Sequence, residues 1–290
     1  MSLGTKPAEV PVLSDALIKL ADLCARELWV GIDYQSGKPQ HVSVKNKSDK
    51  NTAPTVSPLL SDERLLEMFA LPFYSHANVH SQRKKIPLPI LHVDPYFLKI
   101  AGLTRGRKQT EDDVKNGINT LLSVIAADYR GYINGKSNEN SLDKTAQYAS
   151  QLVEEFGLTD NINRRALTFR ILFFAIPDFP CFNYGDDIAN ALKLKTTDDD
   201  FIAKFIAKLD RGYKLNWERL SQYEMPLPTH LDSTVWIRAK EHGWWQRRIY
   251  DLALMMHFAL QKNAISPKNK AITPYPRVMR LFYADSLPYA

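Results

Sequence analysis

The sequence has few cysteines and no long apolar run, and both absences narrow the class of protein. Two cysteines, Cys24 and Cys181, occur in 290 residues, too far apart in sequence to form a metal-binding or redox motif. This usage suits a reducing compartment, although one disulfide between them stays open at this point. No apolar run approaches the roughly 20 residues that a membrane helix needs, and the first residues lack a secretory signal. The sequence predicts a cytoplasmic protein with no membrane partner.

Motifs of catalysis are also missing. The sequence has no phosphate-binding glycine loop, no zinc-ligand spacing and no nucleophile motif. The run Tyr184-Gly185-Asp186-Asp187 resembles the metal-binding turn of reverse transcriptases and viral RNA polymerases, but that turn needs apolar strands on both sides. Here a helix pattern follows, with Asp186 at its favourable N-terminus. The sequence therefore predicts no cofactor and no metal site, and it leans against an enzyme without settling the question.

Positive charge is present in modest excess and is unevenly distributed. Lysine and arginine total 38 against 32 aspartate and glutamate residues, so the formal net charge is +6. Such an excess proves little by itself, whereas adjacent cations create a local positive potential that attracts polyanions. The surplus is grouped in four blocks, Arg83-Lys84-Lys85, Arg105-Gly106-Arg107-Lys108, Arg164-Arg165 and Arg247-Arg248.

The first two blocks lie in sequence that predicts loops. Four prolines between Leu71 and Lys108 deny a long helix, so an irregular chain is expected there. Cations on a loop can reach a phosphate backbone, and each contact adds affinity that falls with salt. The second block also precedes a helix predicted from Thr110, and a helix N-terminus favours phosphate. The alternative is that both loops are simply solvated. The predicted contacts are Arg83, Lys84, Lys85, Arg105, Arg107 and Lys108.

The third block belongs to a segment that resembles a helix-turn-helix motif. A first helix, a turn at Gly157 and a second helix from about 160 follow that order, and the second helix of the motif enters the major groove of DNA. Val153, where a small residue is usual, and Ile162, one position early, depart from the pattern. A helical hairpin with a glycine cap is the alternative. The residues placed to meet bases and phosphates are Asn161, Asn163, Arg164 and Arg165.

The fourth block lies near the start of a helix predicted over 244–262. Arg247 and Asp251, four positions apart on the far side of this helix, are predicted to pair. Trp244 and Arg248 flank the apolar face, where they either stack on nucleic-acid bases or anchor the edge of the core. Arg248 is therefore included among the predicted nucleic-acid contacts. The predicted core face is Trp245, Ile249, Leu252, Met256 and Leu260.

Helical patterns account for most of the chain. A β-hairpin is predicted where 30–34 and 41–44 alternate around a turn, and 86–93 is predicted as an edge strand. The expected fold class is mainly α, with a helical bundle-like core and a small N-terminal β element. The predicted helices are 14–29, one from about 61, one from 110 to about 130, and then 142–156, 160–176, 186–194, 198–209, 214–222, 232–241, 244–262 and 275–283.

A change in composition near residues 104–110 sets a candidate domain boundary. It separates a mixed α/β region, 1–107, which carries the basic loops, from a helical domain, 108–290. The second part has about 180 residues, enough to bury a core of its own. One compact domain is the alternative.

These observations favour a nucleic-acid-binding protein, with DNA preferred over RNA, that contacts the phosphate backbone through basic loops. Transcription, replication, a mobile element and a defence complex are all compatible settings. A helical scaffold or adaptor that binds another protein, or a second copy of itself, is the alternative from another class. Its support is the 5 Trp, 13 Tyr and 13 Phe, because aromatic residues are enriched at interface hot spots. An enzyme of unrecognised family is the third hypothesis.

Overall fold

The structure, a computed structural model, is mainly α-helical in the residues that it describes, as the sequence predicts. These residues are 10–30, 32–33, 38–39, 42–44, 55–57, 61–81, 122, 150, 164–179, 181–182, 186–195, 200–229 and 231–265. The helices are α1 (Asp15–Val30), α2 (Asp62–Ser81), α3 (Arg164–Ala175), α4 (Asp186–Ala191), α5 (Phe201–Leu215), α6 (Trp217–Leu220), α7 (Ser233–Glu241) and α8 (Trp244–Ile265). α5 continues past its predicted end at 209 to Leu215.

Two short antiparallel strand pairs lie between α1 and α2 in the chain. β1 (Ile32–Asp33) pairs with β2 (Lys38–Pro39), and β3 (Val42–Val44) pairs with β4 (Thr55–Ser57). The hairpin predicted between 30–34 and 41–44 is wrong in its pairing, because each segment bonds to a different partner. Pairs of two or three residues are too short to be stable alone. The edge strand predicted at 86–93 lies outside the described residues.

α8 lies at the centre of the described core. α1 packs along it, and α4, α6 and α7 also contact it. α2 packs against α3 and makes further contacts with α1 and α7. The buried apolar residues form one continuous cluster that runs from Leu13 to Met256 in sequence. α1 and α2 therefore share a core with helices from the other side of the boundary predicted at 104–110.

Side-chain caps and apolar spacing explain where the helices begin and which way they face. Ser14 Oγ accepts a hydrogen bond from Leu17 N at 3.3 Å, and Asp232 accepts one from Thr234 N at 2.8 Å at the start of α7. In α5 the buried side chains recur every three or four residues, so one face packs on the core and the other meets solvent. The buried apolar side chains of α5 are Phe201, Ile202, Phe205, Ile206 and Leu209.

α2 departs most from the predicted structure. The prolines predict an irregular chain from Leu71, yet α2 continues through Pro72 to Ser81. Pro72 has no N–H to donate to the carbonyl four residues earlier, so the helix forgoes one hydrogen bond. Phe69 and Phe73, on either side of the proline, are buried against the core. Burial of each phenylalanine contributes about 1.5–3 kcal/mol, which offsets the lost bond.

Candidate functional site

Most residues of the predicted nucleic-acid interface lie outside the described part of the chain. Arg164 and Arg165 are the first two residues of α3, but their side chains are not in the described part of the structure. The phosphate-binding loops and the helix-turn-helix hypothesis therefore stay predictions. The other residues outside the described part are Arg83, Lys84, Lys85, Arg105, Arg107, Lys108, Asn161 and Asn163.

Arg248 is described in full, and it is part of the core. The residue is 6% exposed, and its Nε lies 2.8 Å from Asp62 Oδ2. Its Nη1 lies 3.8 Å from Asp251 Oδ2, and both carboxylates are buried. These three residues tie α2 to α8 inside the protein. The prediction that Arg248 contacts nucleic acid is corrected accordingly, because its guanidinium faces the interior and is already paired.

Arg247 also differs from its prediction. It does not lie on an exposed face with Asp251, but is 2% exposed and points to the chain that follows α3. Its Nη1 donates to the carbonyl oxygen of Phe179 and its Nη2 to that of Pro177. Burial lowers the pKa of the guanidinium, while nearby groups, Tyr213 first among them, raise it. Arg247 therefore holds the loop after α3 and presents no charge to solvent.

Trp244 supplies a hydrogen-bond donor at the C-terminal end of α3. Its Nε1 donates to the carbonyl oxygen of Phe173 at 2.9 Å. In a continuing helix that carbonyl would accept from the N–H four residues later, but that residue is Pro177, which has none. Trp244 supplies the missing donor. Its indole is fully buried, so the prediction that it anchors the core is confirmed.

A second polar cluster lies where α2, the loop after α3 and α7 meet. The Tyr74 hydroxyl donates to the Asp178 carboxylate, and Arg238 Nη1 lies 2.9 Å from the other oxygen of that carboxylate. The Arg238 guanidinium also stacks over the Tyr74 ring, 4.9 Å from its centroid. Asp178 is buried, whereas the Arg238 side chain is 35% exposed. Because both carboxylate oxygens are already bonded, this cluster joins three segments and offers no free general base.

The two cysteines are free thiols in the interior. Burial raises the pKa of Cys24 and that of Cys181 to about 12. The thiolate is the reactive form of cysteine, so we expect neither residue to react with Ellman's reagent in the native protein at neutral pH. Both should react at once in denaturant. A rapid first equivalent from the native protein would show that one thiol reaches solvent.

Two other kinds of feature are absent from the described ranges. No three His, Cys, Asp or Glu side chains within them are grouped so that they could hold a metal ion. No helix within them combines the length and the apolar character needed to cross a bilayer.

Exposed cations occur just after α4 and on α5. Lys193 and Lys195 are exposed just after α4, and Arg211 is exposed on α5. Lys208, one turn before Arg211, donates from Nζ to the carbonyl oxygen of Leu192 at 2.8 Å. That bond brings the Lys208 ammonium group to the peptide group that joins Leu192 to Lys193, and partial burial lowers the pKa of this ammonium group. We call Lys193, Lys195, Lys208 and Arg211 the α5 basic surface.

The sequence signal for this surface is the helical spacing of its cations on α5, which are not adjacent in sequence. Residues at i, i+4 and i+7 share one face of a helix, and Lys204, Lys208 and Arg211 have that spacing opposite the buried face of α5. Adjacent cations point to different sides of a helix. Helical spacing is therefore the better sequence criterion for a basic helix face.

Comparison with known proteins adds no relative. No protein-family model, no curated protein and no solved structure matches the chain. The functional argument therefore rests on the residues of this chain.

Proposed function

We propose that this protein binds nucleic acid, DNA in preference to RNA, through contacts with the phosphate backbone. The observation that carries the proposal is the grouping of six cations in two predicted loops, Arg83 to Lys85 and Arg105 to Lys108. Loops with adjacent cations can meet neighbouring phosphates, which gives affinity without reading sequence. DNA is preferred because the segment around Gly157 resembles a helix-turn-helix, whose second helix fits the major groove of B-DNA.

The buried arginines of α8 support the view that the excess positive charge lies outside the core. Within the described residues, the buried charged side chains include two arginines and four carboxylates, namely Arg247, Arg248, Asp22, Asp62, Glu63 and Asp251. This buried set contains no excess of positive charge, so the formal excess of +6 belongs to the rest of the chain. That is the distribution that favours association with a polyanion.

Two finer expectations belong to the same proposal. A cytoplasmic location fits free thiols at Cys24 and Cys181. A small N-terminal β element, built from the strand pairs between α1 and α2, would adjoin the helical core. Transcription, replication, mobile-element and defence complexes all use proteins that bind phosphate backbones in this way.

Fluorescence anisotropy with a labelled DNA duplex tests the proposal. We expect submicromolar binding at low salt that weakens steeply as sodium chloride rises. Each phosphate contact contributes about −0.9 to the slope of log K against log salt, so four to six contacts predict a slope of about −4 to −5. The variant R83Q/K84Q/K85Q should lower the magnitude of the slope by about 2–3.

The matched control for that variant is K19Q/R64Q/K240Q. Its three cations are exposed on α1, α2 and α7, so both variants remove the same formal charge. Single-stranded DNA and duplex RNA of equal length show whether duplex DNA is preferred. Binding weaker than micromolar at low salt, or binding that is insensitive to salt, would overturn the proposal.

The second candidate function is a protein-binding scaffold. The abundance of aromatic residues is weak support for this candidate, because Trp29, Trp244 and Trp245 are all buried and cannot contact a partner. What favours this candidate is exposed apolar surface, chiefly Leu227, which is 79% exposed, and Trp217. A concentration-dependent increase in mass by light scattering, together with no binding of DNA, would favour the scaffold over the nucleic-acid proposal.

A further inference from the structure

The α5 basic surface is assembled from two segments that a hydrogen bond holds together. Lys208 Nζ donates to the Leu192 carbonyl, so the end of α4 lies within reach of a side chain of α5. Arg211 follows Lys208 by three residues, which is about 4.5 Å along the helix axis. Phosphates of one DNA strand are spaced by about 3.4 Å along the duplex axis. Lys208 and Arg211 are therefore spaced closely enough along α5 to face neighbouring phosphates.

Among the described carboxylates, two pair with lysines of α5 that lie outside the α5 basic surface. Lys204 pairs with Asp200 at 2.8 Å, and Lys214 pairs with Asp210 at 2.6 Å. Those pairs involve the lysines nearer the two ends of α5. Within the described ranges, Lys193, Lys195 and Arg211 form no ion pair with an acidic side chain. Among the described residues, no carboxylate therefore neutralises these three charges.

Lys193 has a backbone conformation in which a side chain is unfavourable. Its φ is 54°, the left-handed region that glycine or asparagine usually occupies after a helix. Hydrogen bonds from Lys193 N to Asn190 O and from Leu194 N to Ala189 O, both at 3.0 Å, close this turn. A residue with a Cβ is less stable here than glycine. A lysine at this position therefore makes the turn less stable than a glycine would.

We infer that the α5 basic surface is a second contact for the phosphate backbone of nucleic acid, separate from the two predicted basic loops. This inference rests on the proposed function and assigns it a place on the described structure. Contacts to phosphate hold and orient a duplex without reading its bases. The surface therefore contributes affinity and salt dependence, and no sequence preference.

The variant K193Q/K195Q/R211Q tests the inference on the full chain. It leaves Lys208 and its bond to Leu192 intact. We expect binding of a labelled DNA duplex to weaken about 10- to 100-fold near 0.1 M salt, with the salt slope reduced in magnitude by about 2–3. K19Q/R64Q/K240Q, which removes the same charge from α1, α2 and α7, should weaken binding by less than about threefold. R211Q alone leaves the turn after α4 unchanged, and we expect it to lower the slope by about 1.

The outcomes separate this inference from the proposed function. If the wild-type protein binds DNA and the α5 variants bind equally well, the inference is overturned and the proposed function stands. Equal weakening by the α5 variant and the control variant would also overturn it, because total charge would then be responsible. A wild-type protein that does not bind DNA overturns both. Anionic vesicles or polyglutamate that compete as strongly as DNA would overturn the assignment of nucleic acid as the partner.

Discussion

Replacing Arg248 with alanine should lower the free energy of unfolding by about 3–5 kcal/mol, because it leaves buried carboxylates without their cation. Asp62 would lose a partner at 2.8 Å, and Asp251 would lose the nearby positive charge. Domains are stable by about 5–15 kcal/mol, so this one change removes a large share of the stability. Denaturant unfolding followed by circular dichroism measures the loss, provided that the m value is unchanged.

Arg64→Ala is the matched control for this prediction. Arg64 lies on α2 near Asp62 and pairs with Glu67 at 2.8 Å, but its side chain is 45% exposed. An exposed pair of this kind contributes about 0–1 kcal/mol. The variant R248M/D62L removes both partners of the buried pair, and its loss should be smaller than the sum of the single losses. Equal losses for Arg248→Ala and Arg64→Ala would contradict a stabilising role for the buried pair.

The buried pair also affects how binding experiments are interpreted. Arg248 belongs to a basic block, so a variant at this position that loses DNA binding invites the conclusion that it contacts DNA. The structure gives another cause, since the variant lowers the folded fraction. Binding that is lost in proportion to the folded fraction is a stability effect. The exposed cations of the α5 basic surface do not have this ambiguity.

The apolar face of α8 shows what can be predicted from sequence. Trp245, Ile249, Leu252 and Met256 recur at helical spacing and are buried as predicted, whereas Leu260, the fifth residue of the predicted face, is partly buried. Spacing of this kind depends only on residues close in sequence, so one chain is enough to find it. Within the described ranges, the mainly α fold class and most helix positions follow from the same local information. The helices predicted from 110 to about 130, at 142–156 and at 275–283 lie almost entirely outside those ranges.

The flanks of α8 show what could not be predicted. Arg248 is buried because Asp62, 186 positions earlier, comes to meet it. Arg247 and Trp244 are buried because Pro177 ends α3 and leaves carbonyl groups that need donors. Nothing in the local sequence identifies such distant partners. A central helix is covered on nearly all sides, and therefore charged residues beside an apolar face are not necessarily exposed.

Two sequence criteria for a binding site, adjacent cations and cations at helical spacing, select different residues. The adjacency of cations selects Arg247 and Arg248, which are buried and bonded within the core. The α5 basic surface includes residues of α5 and of the turn after α4, and only tertiary structure brings Lys208 to the carbonyl of Leu192, the residue before Lys193. Spacing could have identified Lys208 and Arg211 on one face, but no local pattern indicates that the turn at Lys193 joins them.

Trp244→Ala should lower the free energy of unfolding by about 3–5 kcal/mol, since a large buried side chain is replaced by a cavity. The Trp244 ring lies 5.0 Å from Phe173 and 6.1 Å from Trp29, measured between centroids, so three helices lose packing together. The Phe173 carbonyl also loses the only N–H that can replace the one missing from Pro177, among the contacts that the structure describes. Denaturant unfolding measures the total loss.

Trp244→Phe separates the two contributions. It keeps most of the aromatic packing but removes the indole N–H, and an unsatisfied buried carbonyl costs about 1–3 kcal/mol. We therefore expect a loss smaller than that of Trp244→Ala but clearly measurable. Trp217→Ala is the control, because Trp217 is 44% exposed and should contribute less than about 1 kcal/mol. If Trp244→Phe were as stable as the wild-type protein, the hydrogen bond would not be what closes α3, and packing alone would explain why α8 begins with this tryptophan.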